Sequence, residues 1–293
     1  MTDGTLTRTP HRFYAQTRDD QPLVAHRFEP ADNTTVRGAV LVVPAMATPA
    51  RYYAPFAHWL AGEGFVVYTF DYRGYGESAT MPLRQVRADI LDWAQDVRTI
   101  LDQVRGETAR LPLTWVGHSL GGQLLPLARH ERLDKAVIVA SGTGHWRHAE
   151  GSHRVLAPAL WYAIAPTLTS LCGYFPGRRI RLLGDLPAPV MRQWAAWCRN
   201  RDYVFGVHPE FTEYYSAVKV PVASVSFTDD ETMSATATAD LESRYTSGSL
   251  TPHRYRPAEL GVDRVGHFGA FRRGAEAIWE RVLLPHIATS RAS

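Results

Sequence analysis

Five apolar runs constrain this chain more than any other feature: GAVLVVPA (Gly38–Ala45), FVVYTFDYR (Phe65–Arg73), LTWVGHS (Leu113–Ser119), KAVIVASG (Lys135–Gly142) and PVASVSF (Pro221–Phe227). Each is of strand length and nearly continuous in apolar side chains, the pattern of strands covered on both faces. Helical patterns lie between them. YYAPFAHWLAGEG predicts a helix ending near Gly62. Ile90, Trp93, Ala94, Val97, Ile100, Leu101 and Val104 recur at helical spacing. Strands alternating with helices imply an α/β fold, a mostly parallel twisted sheet with helices on both faces.

The remaining segments fit around that sheet. RFYAQT (Arg12–Thr17) and LVAHRFEP (Leu23–Pro30) flank a polar RDDQP turn and predict an opening hairpin. GGQLLPLARH predicts a helix after the third apolar run, HRYRPAEL (His253–Leu260) a weaker late strand, and GAEAIWERVLLPHIA a closing helix. The stretch from Gly142 to Pro221 is too long for a loop in a compact domain. It carries helical patterning and Trp146, Trp161, Trp194 and Trp197. We therefore expect a core of residues 1–142 and 220–293 with an inserted helical cap, 143–219, above the sheet's C-terminal edge. Open α/β sheets bind ligands at that edge.

Composition excludes some classes. The formal net charge is +3 over 293 residues, with no basic run, which argues against a nucleic-acid footprint. Two cysteines, Cys172 and Cys198, make no disulfide framework in a chain this long and are expected as buried free thiols. The first residues, MTDGTLTRTPHRF, have neither the apolar core nor the cleavage pattern of a secretory signal, so a cytoplasmic location is expected. Val155–Gly177 has no charged residue and is long enough to span a bilayer. Pro158, Pro166 and Pro176, with Thr167, Thr169 and Ser170, argue against a span and for an apolar insertion packed over a binding cleft.

TWVGHSLGGQ (Thr114–Gln123) carries the chemistry. A strand, then Gly-x-Ser-x-Gly, then a helix is a nucleophile elbow. Gly117 and Gly121 leave room for neighbouring backbone, and Ser119 Oγ is projected above the sheet. A serine needs a base. In this architecture an acid and then a histidine follow the serine in sequence. FTDDETMS offers the acid just past a strand, at Asp229 or Asp230, and RVGHFGAFRR offers His267 in a glycine-rich loop. His118, adjacent to Ser119 in the turn, should point away from it. The oxyanion donors would be the backbone amides of Leu120 and of Met46, in the loop after the third strand. His145, His148 and His153, with Glu150, do not match a zinc spacing and read as polar cap residues.

FDYRGYGES (Phe70–Ser78), GHSLGGQ (Gly117–Gln123) and GHFGAFRR (Gly266–Arg273) together resemble the α/β-hydrolase superfamily over nearly the whole chain. GYFPGRR (Gly173–Arg179), GDLPAPV (Gly184–Val190) and QWAAWCR (Gln193–Arg199) resemble, more narrowly, a bacterial group of serine α/β hydrolases of undefined substrate. The resemblance implies a metal-free, cofactor-free enzyme with a Ser119–Asp230–His267 triad. It selects Asp230 over Asp229 because such acids often lie nine residues after a strand-opening proline, here Pro221. Many relatives have His-Gly where this chain has Pro44-Ala45, so the second oxyanion donor is less firmly implied than the triad.

The expected activity is hydrolysis of an ester-type acyl bond through an acyl-enzyme, on a small substrate with an apolar or aromatic portion. Acyl transfer and thioester cleavage would use the same intermediate. A non-catalytic ligand-binding protein on this scaffold is the reading from a different class.

Overall fold

The computed structural model describes residues 9–288. β1 (His11–Gln16), β2 (Pro22–Phe28), β3 (Gly38–Val43), β4 (Phe65–Phe70), β5 (Leu113–His118) and β6 (Lys135–Val139) come first. A separate two-stranded ladder, β7 (Tyr174–Phe175) and β8 (Leu186–Pro187), follows. Then β9 (Val222–Phe227) and β10 (Leu250–Tyr255) complete an eight-stranded sheet of order β1-β2-β4-β3-β5-β6-β9-β10. β2 is antiparallel to both neighbours, and every other pairing in this sheet is parallel. The expected hairpin opens it.

Alternation along the strands sorts the core into two layers. Leu41 and Val43 of β3 pack with Trp93, Val97 and Ile100 of α2 (Ile90–Glu107). Val40 and Val42 pack on the other face with Phe56 and Leu60 of α1 (Ala54–Gly62) and with the C-terminal helical segment. Helices thus cover both faces. α2 begins in a reciprocal cap: Asp89 accepts from the amides of Leu91 and Asp92, and the Asp92 carboxylate accepts from the Asp89 amide. Such a cap contributes about 1 kcal/mol.

Three elements differ from expectation. The helix after the elbow, α3 (Leu120–Gln123), is only four residues long. Pro126, which has no N–H and crowds the preceding turn, leaves 3-10 turns in its place. The late strand starts at Leu250 and ends at Tyr255, and the Pro257–Leu260 stretch is a 3-10 turn. Pro252 is tolerated there because β10 is an edge strand. The closing helix is divided into α9 (Glu276–Ile278) and α10 (Leu284–Ile287) by a π turn at Trp279–Leu283, just before Pro285.

Residues 143–219 hold α4 (Gly151–Ala159), α5 (Ala165–Cys172), α6 (Ala188–Arg199) and α7 (Phe211–Ser216). α8 (Ala235–Glu242), α9 (Glu276–Ile278) and α10 (Leu284–Ile287) follow in the chain. Pro158 and Pro166 do not break the first of these helices. Gly151–Cys172 is one 22-residue helical stretch, because a π turn at Leu160–Ile164 re-registers its hydrogen bonds. By length and composition it could cross a membrane, and only 22% of its apolar window is buried. Ala157, Trp161, Ala165 and Thr169 form its buried stripe, whereas Val155 and Leu171 are each 78% exposed. The apolar run therefore turns much of its surface outward, while Trp161 on its buried stripe packs edge-on against Trp194. Cys198 is a buried free thiol as expected, but Cys172, at the end of α5, is exposed. The reading of a missing leader rests partly on residues 1–8, which lie outside the described residues.

Candidate active site

The elbow at the end of β5 is built by close approach. A Cβ on Gly121 would lie 2.1 Å from the Val43 carbonyl oxygen, and one on Gly117 would lie 2.5 Å from the carbonyl of Gly121. Only glycine allows β3, β5 and α3 to meet so closely. Ser119 adopts φ 52°, ψ −113°, in the positive-φ region that a side chain strains. Its amide is tied to the Val139 carbonyl at 2.9 Å. Gln123 then locks the turn to its surroundings. Its amide donates to Gly142 O at 2.8 Å, Tyr203 Oη donates to its side-chain oxygen at 3.0 Å, and Tyr215 Oη to its carbonyl at 2.8 Å.

Ser119, Asp230 and His267 come together. His267 Nε2 lies 3.0 Å from Ser119 Oγ, and His267 Nδ1 lies 2.8 Å from Asp230 Oδ2. A carboxylate oxygen accepts, so Nδ1 carries the ring proton and Nε2 is free to accept from the serine hydroxyl. The other Asp230 oxygen accepts from the amides of Thr232 and Met233, both at 2.9 Å. Burial works to raise the Asp230 carboxyl pKa. The hydrogen bond and charge of His267 and the two amides outweigh it, leaving the group below its ordinary value. Asp229 faces elsewhere: its Oδ2 accepts from the amides of Val265 at 2.8 Å and Gly266 at 2.9 Å.

His118 is fully buried and does not face Ser119 Oγ. Its Nε2 is 2.9 Å from the His267 carbonyl, which can only accept, so Nε2 carries the proton. Nδ1 then accepts from Tyr53 Oη at 2.8 Å, and that oxygen accepts from the Ala45 amide at 2.9 Å. Burial, with the nearby His267, pushes the His118 pKa down to about 3.

The loop after β3 was expected to supply Met46, and it is held mostly by residues the sequence reading missed. Tyr72 Oη donates to Pro44 O at 2.9 Å, Tyr75 Oη to Ala47 O, and Asp71 Oδ1 accepts from the Ala50 amide at 2.7 Å. These three belong to FDYRGYGES, whose density of tyrosine beside glycine was the available signal. Ala47 takes φ 55°, so the loop makes a left-handed turn without glycine. Met46 lines the same cavity as Ser119, Leu120 follows it in the chain, and among the described residues neither amide is engaged in a loop or cap hydrogen bond.

Above Ser119 lies a cavity of about 520 Å³. Met46, Tyr52, Leu182, Leu183, Trp194 and Phe268 supply the apolar part of its lining, and Glu231, Arg264 and Arg272 the charged part. His153, read from sequence as an undifferentiated polar residue, also lines it and bonds Thr232 at 2.9 Å. His148 is drawn away to Thr143 and Asp240. Among the described residues no cluster of three or more His, Cys, Asp or Glu could hold a metal ion.

Residues 34–181 match the protein family described as Serine aminopeptidase, S33. A monoacylglycerol lipase of Mycolicibacterium smegmatis is 30% identical over 146 residues, 49% of this chain and 49% of that protein. A monoglyceride lipase of Mus musculus is 27% identical over 163 residues, 55% of this chain and 52% of that protein. The chain thus spans about half the length of the curated relatives it matches. Among solved structures, an esterase from Exiguobacterium antarcticum aligns with a TM-score of 0.62 at 13% identity, over 95% of this chain and 100% of that one. At that identity the likeness is one of fold.

Proposed function

Because the chain belongs to the Serine aminopeptidase, S33 family of α/β hydrolases, we propose that it is a serine hydrolase that cleaves a carboxylic ester through an acyl-enzyme. The observation that carries this reading is the continuous hydrogen-bond chain from Ser119 Oγ through His267 to Asp230, opening into a cavity whose lining includes aromatic and aliphatic side chains. Ser119 Oγ attacks the ester carbonyl carbon as His267 Nε2 takes its proton. Asp230 holds the ring with Nε2 toward the serine and stabilises the imidazolium. The tetrahedral oxyanion is met by the amides of Leu120 and Met46. Collapse of the intermediate expels the alcohol, which takes the proton from His267, and a water activated by the same imidazole then releases the acid.

The substrate is a small ester with an apolar acyl portion. The aromatic and aliphatic lining beside Ser119 supports this, because such side chains favour burial of apolar surface. The similarity to proteins named as monoacylglycerol and monoglyceride lipases supports a lipid ester.

A fluorophosphonate probe and a graded series of p-nitrophenyl and monoacylglycerol esters test the proposal. Labelling at Ser119 and turnover that rises with acyl length would support it. Absence of labelling would defeat the nucleophile assignment. Capture of the acyl group by added alcohol or thiol with negligible hydrolysis would replace hydrolysis by acyl transfer.

A further inference from the structure

Adjacent carboxylates in one turn repel, and a solvated acidic turn would let one of them swing into water. Asp229 does not. Its Oδ2 takes the amides of Val265 and Gly266, the two residues directly before His267. Gly266 sits at φ 60°, so two successive N–H groups converge on one oxygen, a backbone concavity suited to an anion. Packing does not impose that turn at the glycine, since a Cβ on Gly266 would meet nothing closer than 3.7 Å. Val265 anchors the near side by packing in the core face that contains Phe227 and Leu260. The other oxygen, Oδ1, is buried without a hydrogen-bond partner among the described residues, so the carboxylate is committed to the loop.

We infer that Asp229 is a positioning residue that fixes the backbone of the loop carrying His267, while Asp230 fixes the imidazole ring. The two adjacent aspartates divide one task. Asp230 sets the rotation of the ring about its own bonds, and Asp229 sets where the Cα of His267 stands and hence how far Nε2 reaches toward Ser119. No proton passes through Asp229. The inference rests on the reading that His267 is the base.

The test compares Asp229→Asn, which keeps an acceptor oxygen and loses the charge, with Asp229→Ala, which loses both. Ester turnover and the rate of fluorophosphonate labelling are measured on each. A misplacement of about 1 Å in a reacting group costs on the order of 10²-fold, so Asp229→Ala is expected to lower kcat roughly 30- to 100-fold with KM within about threefold. Labelling should slow in parallel. Asp229→Asn should stay within about fivefold of wild type, because the amide oxygen still receives both backbone N–H groups. An Asp229→Ala protein as active as wild type overturns the inference, and so does an Asp229→Asn protein as impaired as Asp229→Ala. If alanine prevents folding, asparagine decides alone, near-wild-type kcat supporting the inference and a loss above about tenfold defeating it. Failure of the underlying reading looks different: the wild-type protein itself would not be labelled at Ser119.

Discussion

The buried imidazole of His118 donates to the backbone carbonyl of His267 at 2.9 Å, so the histidine next to Ser119 holds the one that faces it. Below its ordinary value of 6.5 the unfolded His118 takes a proton, while the folded ring stays neutral down to about 3. The unfolded state therefore binds more protons in that window, and stability falls as the pH is lowered across it. The loss from this group should reach about 3 kcal/mol by pH 4. Denaturant unfolding between pH 7 and 4 checks this. His118→Phe should flatten the dependence, and an unchanged slope would show that the ring is not the source. Asp230, held below its ordinary value, adds a loss in the same direction at still lower pH.

Ser119→Ala should lower ester turnover by about 10⁴-fold or more and abolish probe labelling while the protein stays folded. Ser119→Gly should be equally inactive yet more stable than Ser119→Ala by about 1 kcal/mol, since glycine adopts the positive φ without strain. Thermal unfolding of the two variants decides it. Equal stability would mean that the elbow stores no strain at this residue.

Gly121 has no room for a methyl group: the three nearest atoms, at 2.1–3.0 Å, are backbone atoms of Val43 and Pro44. Gly121→Ala should cost about 3 kcal/mol and depress activity, because it pushes the loop of Met46 away from Ser119. Gly62 offers the control, with nothing within 4 Å of its Cβ position. Gly62→Ala, at the end of α1, should be neutral or stabilise by up to about 1 kcal/mol. Urea midpoints for the pair measure the contrast.

Asp96 is fully buried on α2 and pairs with Arg73, at 2.6 Å to Nε and 2.8 Å to the Arg73 amide. Removing one member of such a pair leaves the other charge poorly compensated. Asp96→Ala should cost about 3 kcal/mol or more, read by denaturant titration. A change below about 1 kcal/mol would show that exposed Asp19, at 2.6 Å from Arg73 Nη1, suffices alone.

The sequence alone determined the sheet and the order in which Ser119, Asp230 and His267, the side chains that meet, follow one another. Continuous apolar runs at β3, β4, β5, β6 and β9 leave few arrangements but a sheet covered on both faces. Gly-x-Ser-x-Gly between a strand and a helix confines Ser119 to one kind of turn, because the spacing is local and the backbone geometry admits no other residue at its glycines. Side-chain chemistry with long-range partners was decided only by the tertiary structure. Asp229 and Asp230 are adjacent residues of the same type, and what separates them is what each meets far along the chain: Asp229 the amides of Val265 and Gly266, Asp230 the ring of His267. The tyrosines around Pro44–Ala47 had no periodicity to betray their partners, and Pro126 cut short a helix that its apolar pattern favoured. The outward face of Gly151–Cys172 was likewise hidden, because hydropathy reports how apolar a helix is and not which side of it the fold covers.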